Sequence, residues 1–359
     1  MELKSHDIEA VYPLTPMQEG MLFHTLDAPH SGVYFNQSVF ELEGEFDVSA
    51  FQRAWSRVIG RHPVLRSAFT FDNHRPIQIA FRSADAPLSE QDLRVFGPDH
   101  QRRRIEEFLT EDRKAGFNLS HVPLMRLTLF RTGESSYTLI WSNHHILMDG
   151  WSSVLVLKES MAFYQAIREG KNLELPAARP FREYVEWLQR QRAAVSGRYW
   201  RNALAGFSVP TPLPQLETPD PGAFGQDRAF ETIPVGALQA LRQFGARQRL
   251  TLNTIAQGLW GVILSRYAGE ADVVFGSTVS GRPPALPGVE TMVGLFVNTL
   301  PVRLKVGREM AVIEWLRRIQ TEQAEARQYE HIPLVDMQGS NFFHSLARQH
   351  EDTNGAGVG

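Results

Sequence analysis

The stretch Ser142-Asn143-His144-His145-Ile146-Leu147-Met148-Asp149-Gly150-Trp151-Ser152 sets two adjacent histidines just ahead of an Asp-Gly pair. The run before it, Tyr137 to Trp141, is aromatic and β-branched and follows the turn signal Thr132-Gly133-Glu134-Ser135, which predicts a strand. After it, Val156, Ser160, Phe163 and Ile167 recur at helical spacing, with Gly170 as a stop. The histidines therefore fall where a strand runs out and a helix has not begun. Side chains alternate across a strand, so one histidine faces a cleft for chemistry and the other supports it. Asp149, beside a Gly150 free to take φ > 0, is placed to fold back and brace them. Two readings compete with an active site. Satisfied core histidines are the usual outcome for a buried His, and His145 with Asp149 four residues on would also suit a metal. No further His/Asp/Glu cluster supplies the remaining ligands, so no metal is expected.

Extended to the double-histidine form HHxxxDG followed by Trp-Ser, this stretch resembles the core motif of condensation domains from nonribosomal peptide synthetases. These belong to the chloramphenicol acetyltransferase-like superfamily. The rest of the chain carries similar strings in the same order. Val11 to His24 begins with two prolines and runs into Met17, Met21 and His24 at helical spacing, with Thr15 as cap and Pro16 in the first turn. It resembles the family's first motif. After a strand at Gln37 to Glu43 and an Asp47-capped helix carrying Phe51, Trp55 and Val58 to Gly60, the string Arg61-His62-Pro63-Val64-Leu65-Arg66-Ser67-Ala68-Phe69 resembles the second. The resemblance implies that one of its arginines, Arg66 over Arg61, pairs with Asp149. Halving such a buried pair costs roughly 3 to 5 kcal/mol.

Strands are expected at Pro76 to Phe81 and Leu124 to Phe130, and a solvated charged helix at Gln101 to Lys114. The proline break at Lys171 to Pro180 marks a boundary, giving lobes 1–175 and 176–338. The helix from Phe181 resembles the fourth motif, and Val209 to Gly222, with five prolines, reads as an extended connector. Helices over Val235 to Arg247 and Thr254 to Tyr267 and a strand Val273 to Gly276 follow. Gly281 to Gly288 is too proline-rich to be regular, and in the family it floors the substrate tunnel. Met292 to Arg303 resembles the fifth motif and reads as a strand with one polar residue, Asn298. Either Asn298 is a satisfied core polar group, or, as the resemblance implies, it lends donors to a substrate in the tunnel with Trp151 and Ser152. A helix over Met310 to Tyr329 leads to Glu330 to Asp336, a looser match to the sixth motif.

Composition sets outer bounds. With 359 residues, 43% of them hydrophobic, the chain can bury a large core in two lobes. Its 37 basic and 40 acidic residues leave a formal charge of −3, so neither nucleic acid nor anionic membrane is an expected partner. The absence of cysteine excludes disulfides, thiolate metal sites and a cysteine nucleophile. Met1 to Asp7 has no apolar run, nor do 18 apolar residues stand together anywhere, which leads us to expect a cytoplasmic protein.

The resemblance covers residues 10 to 336. It implies an α/β fold of two chloramphenicol acetyltransferase-like lobes in a V, with a tunnel between them. Condensation domains are normally longer, so the second lobe is expected to be incomplete, with unpaired strand edges. Residues 339–359 read as a disordered tail. The implied reaction joins a carrier-bound aminoacyl or peptidyl donor thioester to the α-amine of a carrier-bound acceptor. Phosphopantetheine arms carry both substrates and no cofactor is bound directly. Expected partners are upstream and downstream peptidyl carrier proteins and an adjacent adenylation domain. The catalytic group comprises His145, His144, Asp149 and Gly150. His145 orients the amine and accepts a proton. About a tenth of an amine with a pKa near 8 is already free at neutral pH, so positioning outweighs base strength. Two alternatives stand beside this reading. An epimerisation relative typically carries Val-Ser-Trp after the aspartate region, where this chain has Gly150-Trp151-Ser152. A docking module of the same fold has lost the second histidine, which this chain keeps. The details of Tyr12 to His24 and His144 to Ser152 resemble the subtype that joins a D donor to an L acceptor.

Overall fold

The computed structural model describes residues 7–28, 31–72, 75–192, 198–207, 210–213, 230–307 and 309–332. The chain forms two compact units, one of residues 1–191 with 282–297 and one of 192–281 with 298–359. The first unit thus runs past the expected boundary at 175 to the end of a helix, and it takes back a short segment from later in the chain.

In the first unit the order is β1 (Ile8–Pro13), α1 (Pro16–Asp27), β2 (Phe35–Glu43), α2 (Val48–Arg61), β3 (Ser67–Asp72), β4 (Arg75–Phe81), β5 (Leu88–Asp92), α3 (Pro98–Ala115), β6 (Met125–Arg131), β7 (Ser136–His144), α4 (Gly150–Arg168) and α5 (Phe181–Arg192). One sheet runs β1-β4-β3, the other β2-β7-β6-β5, with only β5 and β6 parallel. In the second sheet β7 is flanked on both sides, pairing Phe35 with His144 at one end and Glu43 with Ser136 at the other. Its side chains are buried nearly throughout, which explains the apolar run of Tyr137 to Trp141.

Capping fixes where the helices start. In α1 the Thr15 hydroxyl accepts from the Gln18 amide while the Gln18 side chain accepts from the Thr15 amide, a reciprocal box that satisfies two terminal donors. Asp47 caps α2, which buries Phe51, Trp55, Val58 and Ile59 and packs against α4. Trp55 meets Trp141 edge-on at 5.2 Å between ring centroids, tying α2 to the middle of β7. The expected solvated helix is α3, but it packs Ile105, Phe108 and Leu109 against Leu93, Phe130 and Ile140, and one of its charged residues is enclosed. Asp112 is buried, accepts from Ser142 of β7 and from Gln37 of β2, and pairs with Arg126 of β6 at 2.7 Å.

The second unit contains α6 (Arg198–Ala203), α7 (Val235–Gln248), α8 (Leu252–Ala268), β8 (Asp272–Val279), β9 (Asn298–Lys305) and α9 (Val312–Ala326). β8 and β9 pair antiparallel from Asp272–Lys305 to Val279–Asn298. Gly258 and Gly261 let α8 lie close to its neighbours. A Cβ on the first would stand 2.6 Å from Leu316 and one on the second 2.4 Å from Leu304. Much of the Pro-rich connector, the sixth motif beyond Ile332 and the expected tail fall outside the described residues. Among the described residues no helix is long and apolar enough to cross a membrane.

Candidate active site

The central motif folds as expected at a strand-to-helix junction. β7 ends at His144, and α4 begins at Gly150. The three residues after His145 anchor the turn between them, because Ile146, Leu147 and Met148 are each fully buried in the core of the first unit. Side chains of that size contribute roughly 1.5 to 3 kcal/mol apiece when buried, so the turn is held by its own apolar residues. Backbone contacts pin both histidines. The His144 amide donates to Leu124 at 3.0 Å and the His145 amide to Tyr34 at 2.8 Å. Tyr34 sits at φ 61°, the left-handed region that non-glycine residues seldom adopt. Gln18 of α1 adds a further tie, donating from its amide to the Ile146 carbonyl at 3.1 Å. The first motif is therefore more than an amphipathic helix.

The two histidines separate as the alternation predicts. His144 is buried, and burial together with the neighbouring His145 depresses its pKa to about 4. At neutral pH it is an uncharged imidazole. His145 is half-buried, and its Nδ1 lies 2.8 Å from the Met148 carbonyl. A carbonyl only accepts, so in neutral His145 the proton resides on Nδ1 and the lone pair on Nε2. That tautomer leaves Nε2 as a site able to accept a hydrogen bond or a proton.

Asp149 braces this arrangement with a different partner from the one expected. Its Oδ1 accepts from the Ser152 amide at 2.8 Å, capping α4, and its Oδ2 accepts from the Phe296 amide at 3.0 Å. Its cationic partner is Arg282, 3.4 Å away, and both side chains are almost wholly enclosed. Arg282 also donates to Ser152 at 2.8 Å and to the Val289 and Met292 carbonyls, and it stacks 3.9 Å from the Phe296 ring centroid. Burial pulls the Arg282 pKa below its ordinary value, against the opposing pull of Asp149. Ser152 donates to the Gly294 carbonyl and accepts from the Gly294 amide, and Asp149 donates its own amide to that carbonyl. The result is a clamp that closes residues 282–296 onto the start of α4.

Several expectations are corrected here. Arg66 does not reach Asp149. It is committed to the carbonyls of Ile59, Gly60 and Phe81 and to Glu9, holding the link from α2 into β3. Arg61 pairs with Glu159 of α4 at 3.1 Å and donates to the Pro176 carbonyl, while His62 reaches the same Glu159 at 2.7 Å. Gly150 is the exposed first residue of α4 and has no positive φ; the cap comes from the Asp149 side chain instead. Ser152 is fully buried with its hydroxyl committed to the Gly294 backbone and Arg282, so it braces the clamp. Trp151 is exposed and donates to the Glu290 carbonyl at 3.0 Å. Asn298 takes the satisfied-polar role, its amide donating to the Glu330 and Ile332 carbonyls within the second unit. The expected strand from Met292 to Arg303 starts only at Asn298, because the amides of Gly294 and Phe296 bond to side chains and not to a ladder. The residue that sequence reasoning misses is Arg282, one position into the proline-rich loop. Among the described residues no group of three or more His, Cys, Asp or Glu is placed to hold a metal ion.

Comparison with known proteins bears on what this geometry serves. The sequence profile described as Condensation domain matches residues 8–349. The chain is 43% identical over 341 residues to one of the linear gramicidin synthase proteins of Brevibacillus parabrevis, covering 93% of this chain and 4% of that protein. A second linear gramicidin synthase protein of the same organism is 44% identical over 336 residues, covering 92% of this chain and 6% of that protein. Bacitracin synthase 3 of Bacillus licheniformis is 35% identical over 331 residues, covering 92% of this chain and 5% of that protein. The chain thus spans a small fraction of the curated relatives it matches. Among solved structures, the first condensation domain of the calcium-dependent antibiotic synthetase, in complex with a substrate analogue, superposes with a TM-score of 0.73 at 20% identity. That match covers 92% of this chain and 79% of the other. The starter condensation domain of rhizomide synthetase gives 0.73 at 20% identity, covering 92% and 75%. Both agree with the expected α/β acetyltransferase-like fold.

Proposed function

The chain belongs to the condensation-domain family of nonribosomal peptide synthetases, and from that premise we propose that it forms an amide bond between two carrier-bound acyl groups. Such domains are in general amide-forming acyltransferases. The donor is an aminoacyl or peptidyl thioester and the acceptor the α-amine of a second aminoacyl thioester, each presented on a phosphopantetheine arm as substrate. Peptidyl carrier proteins on either side and a neighbouring adenylation domain are the partners this reading requires.

One observation carries the proposal: His145 offers an unprotonated Nε2 at a half-buried position, in a turn fixed on every side. In the reaction a C–N bond forms as the amine attacks the thioester carbonyl, and the C–S bond breaks. The amine proton passes to His145 Nε2 and leaves with the thiol, so the histidine returns to its starting tautomer. Because the free amine is already a competent nucleophile, the larger contribution is orientation, with proton transfer adding roughly 10²- to 10⁴-fold. Held uncharged, His144 adds no second positive charge to oppose the protonated His145 that forms in passing. The test is His145→Ala with loaded donor and acceptor carriers and the product identified by mass. Condensation should fall by at least about a hundredfold while the melting temperature stays near wild type. Near-wild-type product formation would remove His145 from the chemistry.

A further inference from the structure

The proposed reaction draws no proton through His144, yet two contacts together hold it in one tautomer. Its Nδ1 lies 3.1 Å from the Ile146 amide, and an amide nitrogen can only donate. That nitrogen must therefore be bare. Its Nε2 lies 3.2 Å from the Thr25 hydroxyl on α1. The Thr25 proton is directed to the Met21 carbonyl at 2.7 Å, which leaves the hydroxyl only a lone pair to offer the imidazole. The proton on His144 must then be on Nε2. Both contacts specify the same neutral form. The other tautomer, or the imidazolium, would set an N–H on Nδ1 against the N–H of Ile146.

We infer that Thr25 is a positioning residue: its hydroxyl takes the Nε2 proton of His144, and so keeps bare the Nδ1 that holds the Ile146 amide at the root of the turn presenting His145. The consequence reaches His145 through the backbone. Ile146 follows it directly, and the carbonyl of Ile146 is gripped at the same time by Gln18. Thr25 and Gln18 stand on one helix, so α1 sets both ends of that residue. If the tautomer flips, the Ile146 amide loses its acceptor inside a buried turn. His145 and its Nδ1 contact to Met148 then shift with it. A displacement of about 1 Å at a reacting group can lower a rate as much as a hundredfold.

The effect on rate rests on the amide-forming role of His145, but the tautomer itself does not, so the test has two arms. The first is ¹⁵N NMR of histidine-labelled protein, which distinguishes a protonated Nε2 from a protonated Nδ1. Wild type should show His144 as the Nε2–H form. Thr25→Val, similar in shape but without the hydroxyl, should lose that signal or broaden it into a mixture, and Thr25→Ser should restore it. The second arm is condensation kinetics with loaded carriers. Thr25→Val should lower kcat by roughly ten- to a hundredfold with KM for the carriers unchanged, and Thr25→Ser should recover it. A wild-type His144 protonated on Nδ1 would overturn the inference. So would a Thr25→Val protein of lowered melting temperature whose His144 spectrum and kcat match wild type, since that is the behaviour of a purely structural threonine. If wild type forms no amide while its spectrum shows the Thr25-dependent Nε2–H form, the functional reading fails and the positioning role of Thr25 stands.

Discussion

Arg66 and Arg282 are two guanidinium groups of similar burial in the same unit, and they do different work. Arg66 faces the Ile59 and Gly60 carbonyls at the end of α2, the Phe81 carbonyl of β4 and Glu9 of β1. Arg282 faces a buried carboxylate, a buried hydroxyl and two carbonyls, and through Asp149 it touches the motif that carries His145. The first arginine closes a local corner of the fold. The second joins segments more than a hundred residues apart and makes the active-site turn depend on a loop that arrives late in the chain. Depth alone therefore does not say whether a buried charge belongs to a site; what lies at the other end of its hydrogen bonds does.

The sharpest way to break this contrast is to remove each arginine in turn. Arg282→Ala leaves Asp149 charged and enclosed without its cation, which should cost about 3 to 5 kcal/mol in urea denaturation. The fraction that still folds should lose condensation activity as well, because residues 282–296 are no longer clamped to the start of α4. Arg66→Ala should cost less, about 1 to 3 kcal/mol, since it strands carbonyls and a partly exposed Glu9. Its folded fraction should keep wild-type specific activity. If instead both variants lose activity in proportion, the two arginines belong to one network and the distinction fails. Gly294→Ala probes the same clamp without touching a charge. A Cβ there would come within 2.1 Å of the Phe181 ring, which is itself packed edge-on to Phe296 at 5.1 Å. Overpacking should cost about 1 to 3 kcal/mol, and activity should fall with it, as for Arg282.

The contrast also marks what could be read in the sequence. The strand before the histidines, the helix after them, the Thr15 and Asp47 caps and the unequal burial of His144 and His145 follow from periodicity and local chemistry, and each is present in the fold. That Asp149 braces its surroundings was legible too, but through a turn at a positive-φ Gly150; the structure has it cap α4 instead, with Gly150 an ordinary first helical residue. Its partner was not. Arg66 stands in a patterned string and Arg282 in a proline-rich loop with no periodicity, so local reasoning favours the wrong one. Choosing correctly requires knowing that residues 282–297 return to the first unit, and that return is a tertiary event with no local signature. Asn298 teaches the converse. A polar residue between apolar neighbours invites a functional reading, yet two carbonyls within its own unit were sufficient to account for it.

The smallest effect to separate the two regions is one of pH, and it belongs to the histidine side alone. His144 is folded with a pKa near 4, whereas an unfolded histidine titrates near 6.5. The folded pKa is depressed, so between those values the unfolded chain binds the extra proton and the native state does not. Stability from this group is therefore complete above pH 6.5 and is lost as the pH falls toward 4. Between pH 7 and pH 5 the loss should come to about 2 kcal/mol, following the free energy of one proton bound only by the unfolded state. Urea denaturation at the two pH values measures it, and His144→Gln, which cannot titrate, should flatten the difference by about that amount. Arg66→Ala leaves His144 in place, so it should lower stability equally at both pH values. If Arg66→Ala also removed the pH dependence, the arginine corner and the histidine turn would be coupled.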